Sequence, residues 1–96
     1  MRIALTSAAE ADLAAALDWY DAEVPGVGPL FLDEFEVLLQ RLDENPYQFP
    51  LVRADIRRSL FRRFPYGLFF RLQGDSAQII ACLHASRDPR RWQARH

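Results

Sequence analysis

The sequence predicts an α+β domain, a helical hairpin packed on a small antiparallel sheet, in the order β-α-α-β-β-β with a short C-terminal helical turn. Three observations carry this. Apolar residues recur at helical spacing through residues 9–20 and again through 31–42. From residue 57 the pattern changes to an alternation of period two. Turn-forming pairs separate the stretches: Pro25-Gly26-Val27-Gly28, Asn45-Pro46 and Gly74-Asp75.

Each element has its own justification. Met1 to Leu5 is short and β-like, with Ile3 and Leu5 on one side. Ser7-Ala8-Ala9-Glu10 reads as a capping box, in which the serine accepts from the Glu10 amide and the glutamate reaches back. The helix it opens runs to about Glu23, with Ala9, Leu13, Ala16, Leu17 and Tyr20 on its apolar stripe. Trp19 lies off that stripe, as a flank contact or as an anchor for a partner. Pro29 suits the first turn of a second helix, which runs to about Glu44 with Phe31, Phe35, Leu38 and Leu42 inward and Leu32 and Leu39 beside them. Pro46 to Pro50 is a connector. Arg57 to Phe64 alternates as a strand until Pro65, and Tyr66 to Leu72 is the next strand, with Phe69 and Arg71 on one face. Ala77 to Ala85 is apolar on both faces, with Ile79, Ala81 and Leu83 one way and Ile80 and Cys82 the other, so it belongs inside the sheet. Asp88-Pro89 opens the final turn, which carries Trp92.

The 96 residues make one domain, 1–96. Half of them are apolar, enough for a core and unlike a disordered chain. Cys82 is the sole cysteine, so no disulfide forms within the chain. With no basic-then-apolar start and no apolar run long enough to cross a bilayer, this points to the cytoplasm, away from membranes. Charge is divided. Residues 1–46 carry ten acids against Arg2 and Arg41, net -8; residues 47–96 carry ten arginines against three acids, net +7. The two halves sum to the overall -1, and lysine is absent. Arginine suits bidentate contact with carboxylate or phosphate, so the back half of the chain is where a partner is to be sought.

The stretches "ALTSAAEADLAAALDWY", "LDENPYQFP", "RRSLFRRFPYGLFFRL" and "IIACLHASRDPRRWQAR" together resemble the ParE branch of the RelE/ParE toxin superfamily, over nearly the whole chain. The resemblance implies the toxin of a type II toxin–antitoxin module, silenced by a cognate ParD-like antitoxin in a hetero-oligomer. ParE-type members poison DNA gyrase by binding it. RelE-type members cut messenger RNA on the ribosome, and the fold alone does not choose between them. A third reading is an antitoxin-binding module without toxicity.

RNA cleavage needs a base, an acid and positive charge at the scissile phosphate. The residues available are His84, Arg62, Arg63, Arg71, Arg87 and Tyr66. Against them stands Gly67, where the resemblance to ribonuclease members calls for arginine, and a tail, Gln93 to His96, that lacks their tyrosine. Two readings of His84 stand: a proton-transfer group, or a ring that packs beside the sheet. The leading reading is therefore binding. Its surface consists of Arg57, Arg58, Arg62 and Arg63, whose pairs must face both sides of a strand, together with Arg87, Arg90, Arg91 and Trp92 in the tail. Trp92 either packs back on the fold or serves as an anchor. No CxxC, HExxH or glycine-rich phosphate loop occurs, so neither metal nor cofactor is expected.

Overall fold

The computed structural model describes residues 1–86 and 93–95. Among these, the elements are β1 (Arg2–Leu5), α1 (Ser7–Glu23), α2 (Val27–Glu44), a 3-10 turn at Pro46–Gln48, β2 (Leu51–Arg53), β3 (Ile56–Leu60), β4 (Tyr66–Gln73) and β5 (Ser76–His84). The sheet order is β1-β5-β4-β3-β2. Strands β2 to β5 form an antiparallel meander, and β1 adds parallel to β5. The layered α+β architecture is the expected one; the sheet is mixed and holds one more strand than the alternation pattern reveals.

That extra strand, β2, has a physical reason for escaping notice. It is only three residues long, and it returns into β3 through the two-residue turn Ala54-Asp55. Ala54 sits at φ 48, left-handed backbone usually given to glycine or asparagine. The turn therefore carries no such residue at its first position. The Gly74-Asp75 turn between β4 and β5 does carry one, with Gly74 at φ 60, and Gln73 and Ser76 pair across it as its sequence predicts.

The helix ends differ from expectation by small shifts. Thr6, not Ser7, caps α1: its extended backbone lets Oγ1 accept from the Ala9 amide at 3.1 Å. Helix α2 starts at Val27, because Gly26 at φ 87 reverses the chain before Pro29. Pro29 still lies in the first turn, where a missing N–H removes no helical bond. Gly28 is buried against α1; a β-carbon there would come within 1.9 Å of Asp21 Oδ1. Asn45 closes α2, and its Oδ1 accepts from the Tyr47 amide at 3.1 Å.

Both faces of the sheet are apolar. On the helix side, Ala9, Ala16 and Tyr20 of α1 and Phe31, Phe35, Leu38 and Leu42 of α2 pack on Leu68, Phe70, Ile79 and Cys82. Leu13 and Leu17 flank this core. Behind the sheet, Ile56, Phe69, Ile80, Ala81 and Leu83 form a second cluster. Strict alternation would put Ile80 with Cys82. The β4–β5 register instead runs Phe69 to Ala81 and Phe70 to Ile79, leaving Ile80 as an extra residue. This bulge moves Ile80 to the back face beside Ala81 and returns Cys82 to the helix side.

β1 pairs with β5 only as far as Ile79, so the next stretch of β5 has a bare edge. An ion pair covers it. Asp12 of α1 accepts from the Cys82 amide at 3.0 Å and binds Arg95, whose Nη1 also donates to the Ile80 carbonyl at 3.3 Å. The carboxylate thus meets the free N–H and the guanidinium the free C=O of one strand edge. Removing this mostly buried acid leaves both the amide and the arginine unsatisfied. Asp12→Ala should therefore cost about 2–3 kcal/mol, read as a lower urea midpoint at unchanged slope. Ala54→Asn, by relieving the left-handed position, should raise stability by about 0.5–1 kcal/mol in the same titration.

Candidate functional site

The arginines that the sequence marks as one stripe are distributed by the fold over three environments. Arg62 and Arg63 lie beyond β3, on the loop into β4. The sequence extends the strand to Phe64; the structure ends it at Leu60 because Pro65 lies ahead and the loop amides find another acceptor. Glu34 Oε1 on α2 accepts from both the Arg62 and the Arg63 N–H, the latter at 2.9 Å. On either side of these two residues, Phe61 stacks on Phe31 at 4.6 Å and Phe64 meets it edge-on at 5.0 Å. Two buried rings and one carboxylate hold the loop backbone, leaving both arginine side chains exposed.

Between this loop and α2 runs a groove of about 470 Å³, lined by Leu30, Asp33, Glu34, Val37, Arg62 and Arg63. Leu30 and Val37, two turns apart on one face of α2, are 46% and 48% exposed. The groove combines an apolar floor with two guanidinium groups, a surface suited to an amphipathic segment bearing acids. The arginines were legible in the sequence. Leu30 and Val37 were missed; their spacing of seven puts them on one helix face, but only the fold brings that face to the loop.

Arg57 and Arg58 point to opposite faces of β3. Arg57 Nη1 donates to the Phe49 carbonyl at 2.7 Å, and its guanidinium lies 5.0 Å from the centre of the Tyr47 ring. It serves the connector between α2 and β2. Arg58 lies on the back face, across Gly67: a β-carbon at Gly67 would stand 3.4 Å from Arg58 Cγ and from Leu60 Cδ2. A β-carbon at position 67 would rest in van der Waals contact with both side chains.

His84 occupies a separate cleft of about 240 Å³ beside α1, with Asp12, Trp19, Tyr66 and Cys82. Its ring meets Tyr66 edge-on at 5.4 Å. Its Nδ1 accepts from the Ser86 amide at 3.2 Å and lies 2.7 Å from Ser86 Oγ. None of Arg57, Arg58, Arg62 and Arg63 lines this cleft, and its Asp12 is committed to Arg95 and Cys82. Trp19 is 54% exposed, with its ring edge-to-face on Tyr20 at 5.0 Å. Arg87, Arg90, Arg91 and Trp92, the tail part of the expected surface, lie outside the described residues.

These features define a class: a small α+β domain, a helical hairpin on a mixed sheet, with an arginine-bordered groove at one end. No described helix is long and apolar enough to cross a membrane, and no described group of histidine, cysteine and acidic residues forms a metal site. A family model for the ParE toxin of the type II toxin–antitoxin system, parDE, matches residues 3–89, and the chain belongs to this ParE toxin family. A solved structure described as the chromosomal ParDE TA system from P. aeruginosa has the same fold, with a TM-score of 0.76 at 24% identity over 88% of this chain and 95% of that one. No curated protein matches the chain by sequence.

Cys82 gives a test of the cleft. Burial first, and the nearby Asp12 carboxylate second, push its thiol from 9.0 up to about 12. The native protein should therefore resist iodoacetamide at pH 8, and alkylation should appear only with unfolding. Because the folded thiol titrates above its unfolded value, its contribution to stability is complete below about pH 8.5 and declines as pH rises from there towards 12. A Cys82→Ala variant should lose that alkaline component of the stability profile.

Proposed function

We propose that this chain is the growth-inhibiting toxin of a type II toxin–antitoxin module, neutralised by a cognate ParD-like antitoxin and acting by binding DNA gyrase. Membership of the ParE toxin family over residues 3–89 carries the reading. The groove between α2 and the Arg62-Arg63 loop gives it a physical form. Its exposed Leu30 and Val37 offer apolar burial, and its arginines offer bidentate contact to acids. An antitoxin segment that folds on binding can place apolar residues on the floor and carboxylates on the rim. Toxicity in this reading comes from occupancy of the target and calls on no proton transfer within the chain. In this reading the chain and its antitoxin form a hetero-oligomer.

Two measurements test the two partners. Arg62→Glu with Arg63→Glu should weaken antitoxin binding by about 2 kcal/mol, roughly thirtyfold in Kd, at unchanged thermal stability; equal affinity would exclude the groove. Added to purified gyrase, the wild-type protein should inhibit supercoiling or trap the cleaved complex. Unaltered supercoiling at excess protein, together with codon-associated cuts in ribosome-bound messenger RNA that vanish in His84→Ala, would replace the gyrase reading with ribonuclease action.

A further inference from the structure

Arg62 and Arg63 share their groove with two acids of α2, Asp33 and Glu34. Opposite charges in one groove ordinarily close into ion pairs. Here they do not: among the described residues the ion pairs are Met1 with Asp43 and Arg95 with Asp12. The Glu34 carboxylate is spent on backbone. Its Oε1 accepts from the N–H of Arg62 and from the N–H of Arg63, the latter at 2.9 Å. Two successive amides converging on one oxygen form an anion nest, and bonds to a charged acceptor are the stronger kind.

The rest of the loop is held at its ends. Phe61 and Phe64 are buried against Phe31. The Phe61 N–H donates to the Tyr66 carbonyl, and the Tyr66 N–H to the Phe64 carbonyl. For the two residues in the middle, Glu34 is the acceptor of both amides, and among the described residues no other group serves either one. Glu34 therefore does two things at once. It ties the backbone of residues 62 and 63 to α2, and it leaves both exposed guanidinium groups without an internal counter-ion.

We propose that Glu34 is a positioning residue for partner binding: it presets the Arg62-Arg63 loop in the conformation that an acidic segment of the antitoxin meets. The proposal rests on the antitoxin reading above and adds to it a residue that acts through the two arginines. Its physical basis is preorganisation, since a loop already held in its bound form pays no ordering cost on association. Charge alone predicts the reverse. A carboxylate beside two arginines weakens the positive potential offered to an acidic segment, so its removal would tighten binding. The two effects of Glu34 thus have opposite signs, and the sign can be measured.

Glu34→Ala and Glu34→Gln, each as the full chain, test it in two arms. Glutamine keeps an acceptor oxygen within reach of both amides, and alanine does not. In the isolated protein, hydrogen exchange of the Arg62 and Arg63 amides, followed by NMR, should quicken about tenfold in Glu34→Ala. Glu34→Gln should exchange like the wild type, and the amides of β4 and β5 should be unaltered in both. Unchanged exchange in Glu34→Ala overturns the tether. In the second arm, Glu34→Ala should bind the cognate antitoxin about tenfold more weakly, and Glu34→Gln no more weakly than the wild type. Equal or tighter binding by Glu34→Ala, or an equal loss in both variants, would reduce the role of Glu34 to its charge and overturn the proposal. A double-mutant cycle separates positioning from direct contact. With Arg62→Ala and Arg63→Ala in place, Glu34→Ala should cost nothing further; an undiminished loss in that background would make Glu34 a contact in its own right and overturn positioning. If the wild-type chain binds no antitoxin, the antitoxin reading fails by itself, and the exchange arm alone decides whether Glu34 presets the loop.

Discussion

The packing of Phe31 is the constraint on which the rest of this molecule depends. Its ring lies within 5.5 Å of Tyr20 on α1, 4.6 Å of Phe61, 5.0 Å of Phe64 and 5.2 Å of Tyr66 at the start of β4, centre to centre. A single fully buried side chain thereby ties together both helices, the loop after β3 and the sheet. Aromatic rings bury large areas and favour tilted and edge-on contacts of this kind. Because Phe61 and Phe64 both turn inward, the residues between them are displaced outward. Arg62 and Arg63 are exposed as a consequence of that packing, and the Glu34 carboxylate fixes the direction in which they leave.

The charged surface follows from how the sheet disposes of its second face. Five strands with apolar residues on both sides need cover behind as well as in front. Helices supply the front. Behind, Arg58 and Arg71 stand beside apolar side chains, and residues 93–95 reach across to Arg53 on one side and to Asp12 on the other. The groove at α2 and the back face of the sheet therefore carry arginines on two different sides of the domain. A partner that occupies both has to wrap around the toxin, a geometry open to an extended segment and closed to a rigid globular one.

Much of the fold was legible because its strongest signals are local. The stripes of α1 and α2 follow helical spacing, and the Gly74-Asp75 turn marks its own hairpin. β2 was not legible, since it is short and turns at an alanine. The facing of Ile80 and Ala81 was not legible either, since one bulge overturns an alternation that each residue obeys on paper. At the site, the arginines could be named but not sorted. Arg57 and Arg58 look alike in the sequence, yet one bonds to the Phe49 carbonyl and the other lies across Gly67 with its Nε buried.

What the sequence determined by itself is the layered α+β class, the two helices, the interior position of β5 and the concentration of arginines, ten of twelve, in the back half. These depend on periodicity, turn chemistry and composition, which act between near neighbours. The tertiary structure decided the parallel seat of β1, the covering of the β5 edge by Asp12 and Arg95, and the tether from Glu34 to the loop. Each of these joins residues far apart in the chain or on different strands. They arise from backbone groups and charges that must find partners only once the sheet has closed, a requirement that no stretch of residues states in advance.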